Sequence, residues 1–143
     1  MIQVQFEIDE AAFAYVDKLE ASLRAGVLND AAESAGEIVA ADAKPRVTAP
    51  GYRGDKAGLK PLRDSIYVVV REYRTVVIAL VGGAWPEGAH GHLVENGHIQ
   101  KLQNGGTMRV PPHPWLRPAV EATRSQQAAA IESRLKQAAE GIR

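Results

Sequence analysis

Apolar positions along this chain change their period twice. Phe13, Val16, Leu19, Leu23 and Val27 stand 3, 3, 4 and 4 apart, which lines one face of a helix. Asp9 can cap that helix by accepting a first-turn N–H, so a helix is predicted over 9–25. Gly26 and Asn29 weaken helical propensity. Asp30-Ala-Ala-Glu33 then fits a capping box for a second helix carrying Ala31, Ala35, Ile38, Val39 and Ala43. Pro45 and Pro50 mark its end. The helical region is 9–47, and the sequence leaves open whether it is one bent helix or two.

The period switches to that of strands in SIYVVVREYRTVVIALVGG. Ile66–Val70 and Val76–Val81 are mostly β-branched and apolar, with Arg71–Arg74 as a turn between them and Gly82-Gly83 as the end. Before this hairpin, residues 49–62 (APGYRGDKAGLKPL) hold three glycines, two prolines and four charged residues. They read as a loop that stays mobile until a partner orders it. After the hairpin, residues 84–106 are irregular apart from a helical turn at His92–Asn96, and Thr107–Val110 reads as a short third strand. Pro111, Pro112 and Pro114 precede a last helix over 114–140, whose apolar face carries Leu116, Val120, Ala128, Ile131, Leu135 and Ala138. The expected fold is therefore α+β, within a single domain spanning 1–143. It comprises an N-terminal helix or helix pair, a small antiparallel sheet built on a hairpin across the 65–110 hairpin and turn region, and a C-terminal helix packed on the sheet.

Composition narrows the function classes. The chain has 143 residues, 45% hydrophobic and 24% charged, the balance of a globular domain. There is no cysteine, which excludes disulfides, thiolate nucleophiles and Cys-ligated metal centres. No apolar run reaches membrane-spanning length, and MIQVQFEIDE does not read as a signal peptide. Net charge is zero but unevenly spread. Residues 1–43 hold nine Asp/Glu against two Lys/Arg, and residues 44–74 hold eight Lys/Arg against three Asp/Glu. A nucleic-acid binder usually shows a basic excess overall. The split instead suits ordinary solvated faces, or copies of the chain meeting through unlike surfaces.

HGHLVENGH, residues 90–98, raises the question of a metal. His90, His92, Glu95 and His98 are all potential ligands. Their spacing matches no zinc motif, there is no His-Glu-x-x-His helix, and the flanking glycines leave the side chains without an evident second shell. Ser65 does not sit in a Gly-x-Ser-x-Gly elbow, and Gly82-Gly83 lacks the lysine of a phosphate loop. A small metal-dependent enzyme using the histidine cluster is one alternative reading. A nucleic-acid-binding module using the 44–74 basic segment is another, since Tyr52, Arg53, Lys56 and Lys60 could touch phosphates.

Four pieces in order resemble the tail-completion, or neck, protein family of long-tailed bacteriophages, also described as head–tail joining or minor tail components. They are AKPRVTAP (43–50), LRDSI (62–66) leading into the hairpin, HLVENG (92–97) and PPHPWLRPAVEA (111–122). The matching residues are Ala43, Lys44, Ala49 and Pro50; Leu62, Arg63, Ser65 and Ile66; His92, Val94, Glu95 and Gly97; and Pro112, Pro114, Trp115, Leu116, Arg117, Pro118 and Ala119. The chain departs from the pattern at Gly58-Leu59-Lys60-Pro61, where the family often has Thr-Gly, and at Asn96 and His98. The resemblance implies a non-enzymatic virion protein without cofactor, made in the host cytoplasm and built into the head–tail junction. There it would form a ring between the connector and the tail terminator or tube, with no membrane or sequence-specific nucleic-acid partner. Tyr52, Arg53, Lys56 and Lys60 would be its candidate assembly loop. The residue types assign structural roles to the motifs. Pro114 and Pro118 set the start of the last helix, Trp115 and Leu116 bury apolar area against the sheet, Gly97 supplies an unusual backbone angle, and Arg117 is expected to pair with Glu95.

Overall fold

The computed structural model describes residues 10–48 and 61–142. The Asp9 cap, Pro50 and the candidate contacts Tyr52, Arg53, Lys56 and Lys60 lie outside them. The N-terminal helical region is two α-helices joined without a loop. Helix α1 (Glu10–Ser22) passes through a π-helical turn at Leu23–Val27 into α2 (Leu28–Arg46). Gly26, with φ of 107°, sits within that turn. Because α2 starts at Leu28, Asp30 is already in its first turn rather than at its cap. The residue before the helix, Val27, makes no side-chain cap, and the Asp30 carbonyl accepts a bond from Ser34. The Asp30–Glu33 capping box is thus corrected to ordinary first-turn residues. Pro45 lies inside the last turn of α2, which ends one residue later at Arg46.

After a 3₁₀ turn at Leu62–Ser65, strands β1 (Ile66–Glu72) and β2 (Val77–Gly83) form an antiparallel hairpin with Val69 opposite Leu80. The strands run further than their apolar runs suggested. The turn moves to Tyr73–Val76, closed by the Tyr73 N–H donating to the Val76 carbonyl, and Gly82 and Gly83 end β2 as its last two residues. A short helix α3 (Gly91–Asn96) follows. Thr107–Val110 is a strand as expected, β4, but it does not join the first sheet. It pairs with β3 (His98–Lys101) in a second two-stranded hairpin that the pattern did not reveal. The last helix divides at Thr123 into α4 (Leu116–Ala122) and α5 (Arg124–Glu140).

Helix α2 is the centre of the packing. It touches the β1–β2 hairpin, α4 and α5. Its buried residues, Ala31, Ala35, Gly36, Val39, Ala40 and Ala43, are nearly all small, so neighbours approach its backbone closely. At Gly36 an added Cβ would lie 2.6 Å from Val68 Cγ1 and 3.3 Å from the Ala79 methyl, which shows how tightly the hairpin sits there. Ser34, two residues away and so about 200° around the helix, accepts a bond from Arg134 of α5. The C-terminal helices therefore pack chiefly on α2, which stands between α5 and the sheet, rather than directly on the sheet. The core proper joins Val39, Ala40 and Ala43 to Leu62, Ile66, Trp115 and Ala119.

The apolar stripe of α1 is only half used. Leu19, Leu23 and Val27 are partly covered, while Phe13 and Val16 are exposed and no residue of α1 is buried. Replacing Gly36 by valine places a stiff, branched side chain where Val68 already stands. The expected outcome is a loss of about 2 kcal/mol in stability, read as a lower denaturant midpoint with an unchanged slope.

Candidate functional site

The three motifs that stand apart in sequence, LRDSI, HLVENG and PPHPWLRPA, meet at the start of α4. Leu62, in the 3₁₀ turn, is completely buried. Ser65 Oγ donates to the Leu62 carbonyl at 2.8 Å, which closes that turn, and the Ala84 N–H donates to the Ser65 carbonyl at 2.9 Å. The Leu62 side chain and the Trp115 ring both approach Gly91, where an added Cβ would lie 3.2 Å from the indole and 3.3 Å from Leu62. Trp115 is 3% exposed, and its indole N–H donates to the Gly91 carbonyl at 3.2 Å. A buried aromatic ring of this kind contributes roughly 3 kcal/mol of transfer free energy, and the indole hydrogen bond satisfies its one polar atom.

Glu95 completes the arrangement. Its Oε2 accepts the backbone N–H groups of Trp115 at 2.7 Å and Leu116 at 2.9 Å, and its Oε1 accepts that of Arg117 at 3.0 Å. A helix begins with four backbone donors that no carbonyl of the same helix can reach. In α4 these belong to residues 115–118. Glu95 takes three, and the fourth position is Pro118, which has no N–H. No residue at the head of α4 supplies a side-chain cap, so the cap comes from α3, about twenty residues earlier. Burial pushes the Glu95 carboxyl up, but the hydrogen bonds from Leu116, Trp115 and Arg117 and the nearby Arg117 charge outweigh it, and the net effect holds it below its ordinary value of 4.5. The expected Arg117–Glu95 pair is corrected in kind. Arg117 engages Glu95 through its backbone N–H, and its guanidinium acts only as a nearby charge, without a close ion pair. Its side chain remains exposed because helix geometry turns it outward while its N–H points down the helix axis.

Gly97 ends α3 with φ of 71°, and an added Cβ would lie 2.7 Å from the Val110 carbonyl oxygen. Both facts require glycine. The Val94 carbonyl accepts the His113 N–H at 2.8 Å, so the proline-rich segment is tied to α3 twice, by Val94 and by Glu95. Val94 and Leu116 pack on the core beside Trp115. Pro112 and Pro114 are exposed in this segment and Arg63 lies exposed beside Asp64, while Ile66 is buried at the start of β1.

The histidines do not converge. His92 is exposed, and its carbonyl accepts a bond from Asn96. Burial and the nearby His92 lower the His90 pKa. Both oxygens of Glu95 are committed to α4, and His98 opens β3. Among the described residues no group of three or more His, Asp or Glu side chains is placed to hold a metal ion, so the metal alternative finds no support in the geometry. The described basic residues of 44–74 are also dispersed. Arg46 pairs with Asp42, Arg63 lies by Asp64, and Arg71 is on the hairpin. A cleft of about 910 Å³ lies between the α1–α2 junction and the hairpin tip. Two of its charges are engaged with each other, Glu20 with Arg24, and a third, Glu72, is held by Asn29.

Residues 10–97, more than half of the chain, match the family HK97-gp10_like, described as "Bacteriophage HK97-gp10, putative tail-component". The chain belongs to that family. The membership agrees with the tail-completion resemblance carried by the sequence motifs, and it identifies the chain as a phage tail-related protein. No match was found among curated proteins or among solved structures. The family match ends at Gly97, so the PWLRP piece lies beyond it. The structure connects the two, because Glu95, inside the matched region, caps the helix that PWLRP begins. Sequence reasoning missed the main-chain character of this cap and the β3–β4 hairpin. A glutamate facing a helix start whose own residues offer no cap was the available signal for the first.

Glu95→Gln removes the charge from the cap and is expected to cost about 1–2 kcal/mol at neutral pH. The folded-state carboxyl lies below 4.5, so its contribution is full above that value and is lost as pH falls through the lowered folded-state value. The stability difference between wild type and Glu95→Gln should therefore shrink on acidification below 4.5, as measured by denaturant titration across pH. Gly97→Ala meets both backbone strain and the Val110 carbonyl. A loss of about 2 kcal/mol or more is expected, with thermal unfolding as the measurement.

Proposed function

We propose that this chain is a structural, non-enzymatic component of the tailed-phage virion. In this reading it works as one domain at the head–tail junction, where copies assemble into a ring between the connector and the tail terminator or tube. The observation that carries the reading is membership of the HK97-gp10-like tail-component family. The chemistry of the structure supports it. Among the motif residues, Leu62, Trp115 and Glu95 are spent on packing and capping, as a scaffold requires. Surface composition points the same way. Among the described residues nine apolar side chains are buried, while fourteen large ones are exposed, an excess that suits a protein finished by its neighbours.

Neighbouring copies meet through unlike surfaces, the acidic first third of the chain against the basic segment that follows it. Such a head-to-tail contact closes into a ring when the rotation between copies completes a circle. Tyr52, Arg53, Lys56 and Lys60 serve as further contacts in this assembly.

Native mass spectrometry of the purified protein, or of the protein mixed with connector and tail preparations, should show a closed oligomer of one size. The oligomer should weaken between low and high salt, because exposed charge pairs are screened. Phage lacking the chain should yield filled heads and separate tails by electron microscopy. Normal joined particles in its absence would sink the assignment.

A further inference from the structure

Among the described residues, one face of the β1–β2 hairpin is left largely uncovered. Val68 and Ala79 touch α2 at Gly36, so strand alternation turns Tyr67, Val69 and Arg71, with Ile78 and Leu80 opposite them, away from α2. Tyr67, Ile78 and Leu80 are 47%, 40% and 47% exposed. An antiparallel sheet with one solvated face normally alternates apolar-in with polar-out. This one is apolar on both faces, as a sheet between two layers is. The only charge on the outer face is Arg71, with Arg74 at the adjoining turn; Glu72 lies on the other face, held by Asn29.

Helix α1 is unfinished in a complementary way. None of its residues is buried, and Phe13 and Val16 are 59% and 57% exposed. Three acids flank this pair at helical spacing: Glu10 and Asp17 one turn either side of Phe13, and Glu20 one turn beyond Val16. The other edge of the stripe, Leu19 and Leu23, lines a groove with Ile131 and Leu135 of α5, so α1 is held beside α5 and away from the outer face of its own hairpin.

We propose that α1 of one copy lies on the outer face of the β1–β2 hairpin of the next copy. The inference rests on the ring reading and names the two surfaces that form its repeating contact. Lengths agree: a 13-residue helix is about 20 Å long, and seven-residue strands about 23 Å. Phe13 and Val16 meet Tyr67, Val69, Ile78 and Leu80, and Glu10 and Asp17 meet Arg71 and Arg74. Each copy gives a helix and receives one, which makes the contact heterologous. One helix on two strands buries less than the roughly 800 Å² per partner of a standard stable interface. The isolated pair is therefore weak and gains from closure of the whole ring.

The absence of cysteine makes a direct test clean. Phe13→Cys and Leu80→Cys are purified separately, checked for native circular dichroism, mixed and mildly oxidised. Because the cysteines are on different chains, only contacts between copies are read. The mixed 13–80 dimer should form roughly 10-fold faster or more than either homodimer, or than Phe13→Cys mixed with an exposed Ser133→Cys control, because bound copies raise the local thiol concentration. Asp17→Lys in the first variant should slow cross-linking, and Arg71→Asp in the second should restore it. A mixed dimer no faster than the controls overturns the contact. If native mass spectrometry still shows a ring in that case, the ring reading stands and only this contact falls. If neither a ring nor a selective cross-link forms, both fall.

Discussion

Four backbone positions at the start of α4 have no partner within their own helix, and Glu95 together with Pro118 accounts for all of them. This constraint organises the region around it. For the carboxylate to reach residues 115–117, α3 must lie against the start of α4, which fixes the path of the proline-rich segment between β4 and α4. Gly97 allows the chain to turn out of α3 at the needed angle. Trp115 is then carried into the space beside Gly91, where an added Cβ would lie a tight 3.2 Å from the indole. Leu62 closes the same space from the 3₁₀ turn that launches β1. A polar cap and an apolar plug thus act at one point, and each depends on the other: the charge-assisted bonds hold Trp115 in place, and the packed ring limits the access of water to them.

The same architecture explains why the chain can be a sound scaffold while its surface stays apolar. Small residues on α2 let the hairpin and α5 approach closely, so the interior is dense but narrow. A narrow core cannot accommodate every apolar residue that the sequence provides. Part of the surplus lies on α1, at Phe13 and Val16, and on the outer face of the β1–β2 hairpin, at Tyr67, Ile78 and Leu80, while the rest includes Trp85, Ile99 and Met108. Opposite charges border the two surfaces. The uneven charge along the chain, invisible in a net value of zero, therefore has a spatial meaning that suits a protein of a tail-component family.

The histidine-rich stretch shows how a local pattern misleads. Read in isolation, His90, His92, Glu95 and His98 look like ligands because each can donate electrons to a metal. Their fate is decided by direction. His92 and Glu95 are one turn apart on α3, but His90 precedes that helix and His98 follows it in β3, and the Glu95 carboxylate is drawn to unpaired amides. Those amides belong to residues twenty positions later, so no window around the histidines could have revealed them.

The sequence by itself determined the α+β class, the helical stretch through residue 46, both strands of the first hairpin, the turn at His92–Asn96 and the burial of Ala31, Ala35, Val39 and Ala43. These follow from periodicity and local propensity, which act over a few residues. It also pointed to the family, because the motifs follow one another in the family's order. Tertiary structure alone decided that α2 stands between α5 and the sheet, that Thr107–Val110 pairs with β3 instead of the first sheet, and that Glu95 binds main-chain amides rather than the Arg117 guanidinium. Each of these concerns a partner remote in the chain. Periodicity states which face of an element is apolar, but the element that covers the face is fixed only by packing.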